Sequence, residues 1–161
     1  MMGAGKTTIG NLLAQNSGRE FIDTDKLIEK RLGRPISQFF RHYGEEAFRE
    51  HESMVISSLT SGPFVIATGG GAILRDDNVQ HLQSIGKLIY LQSEPDELIR
   101  RLQQSKKKRP LLSTENWEAT LIDILEARKT RYEQADLVVN VDESHQDEIV
   151  LRVITILGEQ G

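Results

Sequence analysis

Met1-Met2-Gly3-Ala4-Gly5-Lys6-Thr7-Thr8-Ile9-Gly10 is the stretch that decides the fold. From Gly3 to Thr7 it matches the second half of G-x-x-x-x-G-K-[ST], a glycine-rich turn whose backbone N–H groups and lysine cradle phosphates. The first glycine of that pattern would fall immediately before Met1. A helical pattern follows at once, with Ile9, Leu12 and Leu13 forming an apolar stripe across Thr7–Gln15. Gly3, Ala4, Gly5, Lys6, Thr7 and Thr8 thus place amide groups, a helix N-terminus, an ammonium and two hydroxyls around one anion. Thr7 stands where a hydroxyl meets the Mg²⁺ that accompanies a nucleotide. A chance GAGKT would need both glycines, the lysine, the hydroxyl and the helix to coincide.

Outward from this loop, short β-rich runs alternate with longer segments of helical period. The runs are Phe21–Asp23, Phe64–Thr68, Lys87–Leu91 and Leu137–Val141, and the alternation predicts an α/β fold with a parallel sheet. Nearly all their residues are apolar, which predicts strands buried on both faces. Helices are expected over Gly44–Leu59, from Pro95 toward Arg101, over Trp117–Tyr132 and over Gln146–Leu157, with a short one from Pro35 through Phe40. No repeat or low-complexity linker interrupts the chain, so 161 residues read as one domain with its own core.

Bulk properties narrow the class. Twenty-four acidic against 20 basic residues give a formal charge of -4, not the basic footprint of a nucleic-acid binder. There is no cysteine, which removes disulfides and thiolate metal sites and fits a reducing cytoplasm. No apolar run reaches membrane-spanning length, and no secretory signal is visible, so a cytosolic protein is expected.

Three further motifs carry chemistry. Phe21-Ile22-Asp23-Thr24-Asp25 sets two carboxylates at the end of a strand, the edge where open α/β sheets bind ligands; Asp25 alone also reads as an N-cap for a helix over Lys26–Arg31. Ala67-Thr68-Gly69-Gly70-Gly71-Ala72 puts three glycines after a strand, where either unusual dihedrals or a close backbone approach is required. Ser105–Asn116, with Lys106, Lys107, Lys108, Arg109 and a proline, fits neither period and reads as a mobile basic loop. Arg49 and Arg128 lie on predicted helices and carry the donor geometry for a carboxylate.

GAGKTTIG, FIDTD, GEEAFREHE, ATGGGA, KRPLL and EARKTRYEQAD follow one another in the order and approximate spacing of the shikimate kinases, and the chain resembles that family over essentially its full length. The resemblance implies a three-layer P-loop NTPase fold of the nucleoside-monophosphate-kinase type, with a parallel sheet, helices on both faces and a mobile lid. It implies one domain over 1–161, with acceptor-binding helices at about 25–60 and a lid at about 105–117. It implies transfer of the ATP γ-phosphoryl group to the 3-hydroxyl of shikimate, with Mg²⁺, in aromatic amino-acid biosynthesis, by a monomer.

By the same resemblance, Lys6 is the phosphate-loop lysine, and Thr7 and Asp23 hold Mg²⁺. Asp25 meets the acceptor hydroxyls and takes the proton. Arg49 and Arg128 clamp the acceptor carboxylate, Gly69, Gly70 and Gly71 line that pocket, and Glu52 orients Arg49. Arg109 is the lid arginine. Arg101 aligns only approximately with an arginine that meets adenine, and Asp142–His145 offers no basic residue but His145. A kinase of another small hydroxy acid such as gluconate, and a nucleotide-binding module without turnover, are the alternatives.

The resemblance also implies a central strand directly before the phosphate loop, which the sequence as given does not contain. Unpaired neighbouring strands would cost more than the ~5–15 kcal/mol by which domains are usually stable. The expectation is therefore poor folding unless something fills that place, and a natural start about a strand's length upstream.

Overall fold

The computed structural model describes residues 1–105, 109–142 and 144–159. In chain order they form α1 (Lys6–Ser17), β1 (Glu20–Asp23), α2 (Thr24–Leu32), α3 (Ile36–Ser57), β2 (Phe64–Ala67), α4 (Asp76–Ile85), β3 (Ile89–Gln92), α5 (Pro95–Gln103), α6 (Trp117–Tyr132), β4 (Leu137–Asn140) and α7 (Gln146–Glu159), with single 3₁₀ turns at Ala72–Leu74 and Pro110–Leu112. Every strand pairing is parallel. β1 pairs with β2, Asp23 opposite Ala67, and β3 pairs with β4, Gln92 opposite Asn140. Among the described residues the two pairs are not hydrogen-bonded to each other.

Side-chain alternation puts helices on both faces of the β1–β2 pair. Phe21 faces α1, where its ring lies 2.7 Å from the position a Cβ on Gly10 would take. Its neighbour Ile22 packs into the opposite cluster of Ile56, Leu59 and Leu82, from the end of α3 and from α4. Val65 and Ile66 divide between the same two clusters. The larger core joins Ile9 and Leu13 of α1 to Tyr90, Leu91 and Val139 of the other pair, and to Leu98, Leu121, Leu125, Ile149, Val150 and Val153 from α5, α6 and α7.

The strands are less buried than their composition predicts. Of their residues only Ala67, Tyr90, Leu91 and Val139 are fully buried, and Val138 is 40% exposed. Among the described residues each sheet has two strands, so each strand has one hydrogen-bonded neighbour and correspondingly less cover.

Local signals explain most helix ends. α5 opens with Pro95 at its first position, carries Asp96 and Glu97 in its first turn and Arg100 and Arg101 in its last, matching charge to the helix dipole at both ends. α4 went without a sequence signal beyond Val79, Leu82 and Ile85; it covers the cluster around Ile56. α3 combines the short helix expected after Pro35 with the long one expected from Gly44. They meet at Gly44, whose φ of 80° and ψ of -179° break the helical path. Only glycine adopts that conformation without strain. Ile28 of α2 packs with Phe39 before the break and with Phe48 and Val55 after it.

Candidate active site

β1 and β2 run parallel, so their ends deliver Asp23–Asp25 and Thr68–Gly71 to one edge. There a cavity of about 500 Å³ opens, lined by the phosphate loop on one side and by α3 and α6 on the other. Gly3, Gly5, Lys6, Thr7, Thr8, Asp23, Asp25, Arg49, Gly69, Gly70, Gly71, Arg101, Arg109 and Arg128 all line it. Ala4 does not, because its side chain is fully buried in the core beneath the loop.

The phosphate side is built from backbone. Gly3 and Gly5 have φ of 84° and 83°, the left-handed region that lets successive peptide N–H groups turn inward, and Gly5 caps α1. A side chain at Gly3 would also press on Leu102 at 3.2 Å. Lys6 Nζ donates to the Met1 carbonyl at 2.7 Å. Thr7 Oγ1 donates to Asp23 Oδ2 at 3.2 Å, so the loop hydroxyl and the strand-end carboxylate meet as the sequence suggests.

Asp23, not Asp25, caps α2. The helix starts at Thr24, earlier than its apolar pattern indicates, and the extended backbone of Asp23 lets Oδ1 accept from Asp25 N at 3.0 Å and Lys26 N at 3.4 Å. Asp25 lies instead in the first turn, with its carboxylate against Gly69. A methyl group there would sit 3.0 Å from Asp25 Oδ1 and 2.7 Å from Glu52 Oε1. Thr24, fully buried, accepts from Gly69 N at 3.3 Å and fixes that turn to α2.

The side facing the loop is built from buried charge. Arg49 is 9% exposed and Glu52 is fully buried. Arg49 Nη1 donates to Glu52 Oε2 at 2.7 Å, while Nε and Nη2 both donate to Glu45 Oε1 at 3.1 and 2.8 Å. Burial acts to lower the Arg49 pKa, but Glu52 and Glu45 together outweigh it and hold the guanidinium above its ordinary value. Burial raises the Glu52 pKa; Arg49 opposes this and Asp25 adds to it. Glu52 Oε1 accepts no hydrogen bond among the described residues, and it faces Gly69 and Asp25.

None of the three glycines has a positive φ, so close approach is what they provide. A Cβ on Gly71 would lie 2.2 to 2.4 Å from Nη1, Cζ and Nη2 of Arg49, so the guanidinium rests flat against that backbone. Arg128, 7% exposed, directs Nη1 to the Gly70 carbonyl at 3.4 Å. The Tyr132 hydroxyl donates to the same oxygen at 2.6 Å.

Two arginines complete the rim. Arg101 donates to Glu97 at 2.6 Å and to the Val141 carbonyl at 2.8 Å, with Asp142 at 3.4 Å. Asp142 also accepts from the Glu94 amide at 2.7 Å and from the Ser93 hydroxyl, tying the segment after β4 to the start of α5. His145 is exposed and pairs with Asp147 at 3.3 Å, away from the cavity. Arg109 is partly buried, which lowers its pKa against the opposing pull of Asp25. Lys106, Lys107 and Lys108 lie outside the described residues.

Sequence reasoning gives no part to Glu45, Thr24 or Tyr132. Glu45 and Tyr132 each stand four residues from a candidate arginine, a spacing that puts them on the same helix face. Thr24 carried no signal apart from its place between the two aspartates.

A phosphate loop beside two buried arginines on one cavity finds its counterpart in known proteins. The sequence profile of the shikimate kinase family matches residues 2–157. The chain is 43% identical over 155 residues to a shikimate kinase of Synechococcus elongatus, covering 96% of this chain and 80% of that one. It is 42% identical over 162 residues to that of Methylococcus capsulatus, covering 99% and 90%. Its fold is similar to that of a shikimate kinase from Acinetobacter baumannii in complex with shikimate, with a TM-score of 0.93 and 35% identity over 99% of this chain and 89% of that one. It is similar also to the Aquifex aeolicus enzyme, with a TM-score of 0.81 and 28% identity over 99% and 93%. With the family profile matched along nearly the whole length, the chain belongs to the shikimate kinase family, ATP-dependent kinases with a P-loop NTPase fold.

Proposed function

We propose that this chain transfers the γ-phosphoryl group of ATP to the 3-hydroxyl of shikimate, giving shikimate 3-phosphate and ADP on the way to aromatic amino acids. The observation that carries the reading is the placement of Arg49, Arg128 and Asp25 around Gly69–Gly71, in the same cavity as the phosphate loop. Two guanidinium groups suit a carboxylate, and an aspartate between them and the loop suits a hydroxyl that must lose its proton.

Phosphoryl transfer asks a protein mainly for positioning and charge neutralisation. The loop amides and Lys6 receive the phosphates. Arg49 and Arg128 hold the acceptor carboxylate, which fixes the ring and presents its 3-hydroxyl. Asp25 accepts that proton as the oxygen bonds to the γ-phosphorus, and the bond to the bridging oxygen breaks to release ADP. Arg109 neutralises charge on the transferring group from the rim, and the segment at about 105–117 serves as the lid that excludes water. Arg101 faces the base.

Thr7 and Asp23 would hold Mg²⁺. A hydroxyl and a carboxylate, 3.2 Å apart beside the loop, are hard oxygen donors. Two protein donors suffice for an ion that keeps several waters and takes phosphate oxygens. When bound it offsets the negative charge of the phosphates.

The kinase domain to which residues 1–161 belong works as a cytosolic monomer, with acceptor-binding helices at about 25–60. Its substrates are soluble metabolites, and Lys6, Asp25, Arg49, Arg109 and Arg128, which would receive them, line one cavity of a single chain. Among the described residues no helix is long and apolar enough to cross a membrane. ADP release from Mg-ATP, followed with shikimate, with gluconate and with no acceptor, tests the reading. Release that depends on shikimate is expected; equal rates in all three, or a preference for gluconate, would overturn it.

A further inference from the structure

Tyr132 takes no part in the reaction just described. Its ring is buried, 5% exposed, and stacks on Tyr90 at 4.8 Å with 8° between the planes. Its hydroxyl nevertheless leaves the core to reach the Gly70 carbonyl at 2.6 Å, an oxygen that Arg128 Nη1 approaches only to 3.4 Å. One acceptor thus has two donors at unequal distance, and the neutral donor is the nearer.

We propose that Tyr132 is a positioning residue for the acceptor site, whose hydroxyl satisfies the Gly70 carbonyl and so leaves Arg128 for the acceptor carboxylate. This rests on the reading of Arg128 as a carboxylate ligand. A guanidinium N–H makes a stronger hydrogen bond to a carbonyl than a phenol does, because it is charged. Remove the phenol, and a part-buried carbonyl draws Arg128 inward, since leaving it unpaired is costly. A guanidinium committed to the backbone has fewer donors for a ligand. The same bond sets the peptide plane: in a trans peptide the Gly71 N–H points opposite to the Gly70 carbonyl, so Tyr132 fixes both groups of a unit lining the cavity. Arg128 and Tyr132 are four residues apart on α6, so one helix face delivers the ligand-binding cation and the group that keeps it available.

Tyr132→Phe keeps the ring and its stack while deleting one oxygen. Its kcat and KM are measured with shikimate, with an analogue in which a neutral hydroxymethyl group replaces the carboxylate, and for Mg-ATP, beside a thermal melt. The expected result is a KM for shikimate raised about tenfold, with the KM for ATP, the KM for the neutral analogue and the melting temperature nearly unchanged. Tyr90→Phe, which removes the other hydroxyl of the stack, should leave every KM as in the parent chain. An unchanged KM for shikimate overturns the proposal, and so does an equal rise for both acceptors or a large fall in melting temperature, either of which assigns the hydroxyl a general structural role. A parent chain that handles shikimate and its neutral analogue alike instead overturns the carboxylate reading of Arg128 beneath it.

Discussion

The two walls of the cavity are made in opposite ways. The phosphate wall is contiguous in sequence and consists largely of backbone, two left-handed glycines and a helix N-terminus. The acceptor wall is assembled from α2, α3, α6 and the turn after β2, and consists of buried charged side chains held by one another. A polyphosphate presents much charge and little shape, so oriented amides and one lysine suffice for it. A small carboxylate with hydroxyls must be gripped in one orientation, and that takes guanidinium groups whose own rotamers are fixed. Damage to the first wall should therefore be read in turnover, and damage to the second in acceptor KM and in stability.

The largest effect expected is from Lys6→Met, which removes the cation proposed to receive the reacting phosphates: kcat falls about 10³-fold, while shikimate affinity, measured by calorimetry, stays within about twofold. A matching loss of shikimate affinity would erase the distinction between the walls. Arg49→Met strikes the other wall and leaves Glu52 buried without its partner, a situation that costs about 3–5 kcal/mol. Urea denaturation should show that loss, together with a raised KM for shikimate. Arg109→Ala should lower kcat about 10²-fold with little change in shikimate binding, and an unchanged turnover number would remove it from the site. Gly71→Ala is subtler: the methyl group must displace the Arg49 guanidinium, an overpacking worth about 1–3 kcal/mol, so the KM for shikimate should rise about tenfold or more with the KM for ATP unaffected.

The smallest effect concerns the floor beneath the acceptor wall. Burial above all raises the phenol pKa of Tyr90 to about 12, with Tyr132 adding to it, and burial also raises that of Tyr132. Unfolded, both phenols lose their protons near pH 10. Their contribution to stability is complete below that pH and is lost as pH rises through the folded values. Melting temperature should therefore fall between pH 10 and pH 12, and should fall less steeply in Tyr90→Phe.

How much of this was legible in the sequence follows the same division. GAGKT could be read because its chemistry is local, and the strands were placed to within about two residues because apolar runs bounded by turns are local as well. The cover of those strands could not be read, since burial depends on what pairs with them: Leu137–Asn140 is as apolar as a central strand, yet Val138 is exposed. Asp23 and Asp25 were found as a pair, but their division of labour rests on α2 starting at Thr24, a boundary that the side-chain pattern does not mark. For Gly69–Gly71 the sequence left two explanations, and only the position of Arg49, some twenty residues away, decides between them. Arg49 and Arg128 were named through family resemblance; on composition alone each is an ordinary helical arginine. Their partners Glu45 and Tyr132 became visible only with the fold.

The break at Gly44 has a consequence for how acceptor choice can evolve. Ser37 and Phe40, which line the cavity, lie before it, and Glu45, Arg49 and Glu52 lie after it. The helix path is interrupted between them, yet the two arms share one cluster, in which the Phe40 ring lies 4.7 Å from that of Phe48, the neighbour of Arg49, so a substitution in the outer arm is felt by the arginine-bearing segment through packing. On the proposed reading of the site, selection on which hydroxylated acid is admitted therefore acts through the same aromatic contact that seats Arg49, and a change at Phe40 calls for a matching change at Phe48.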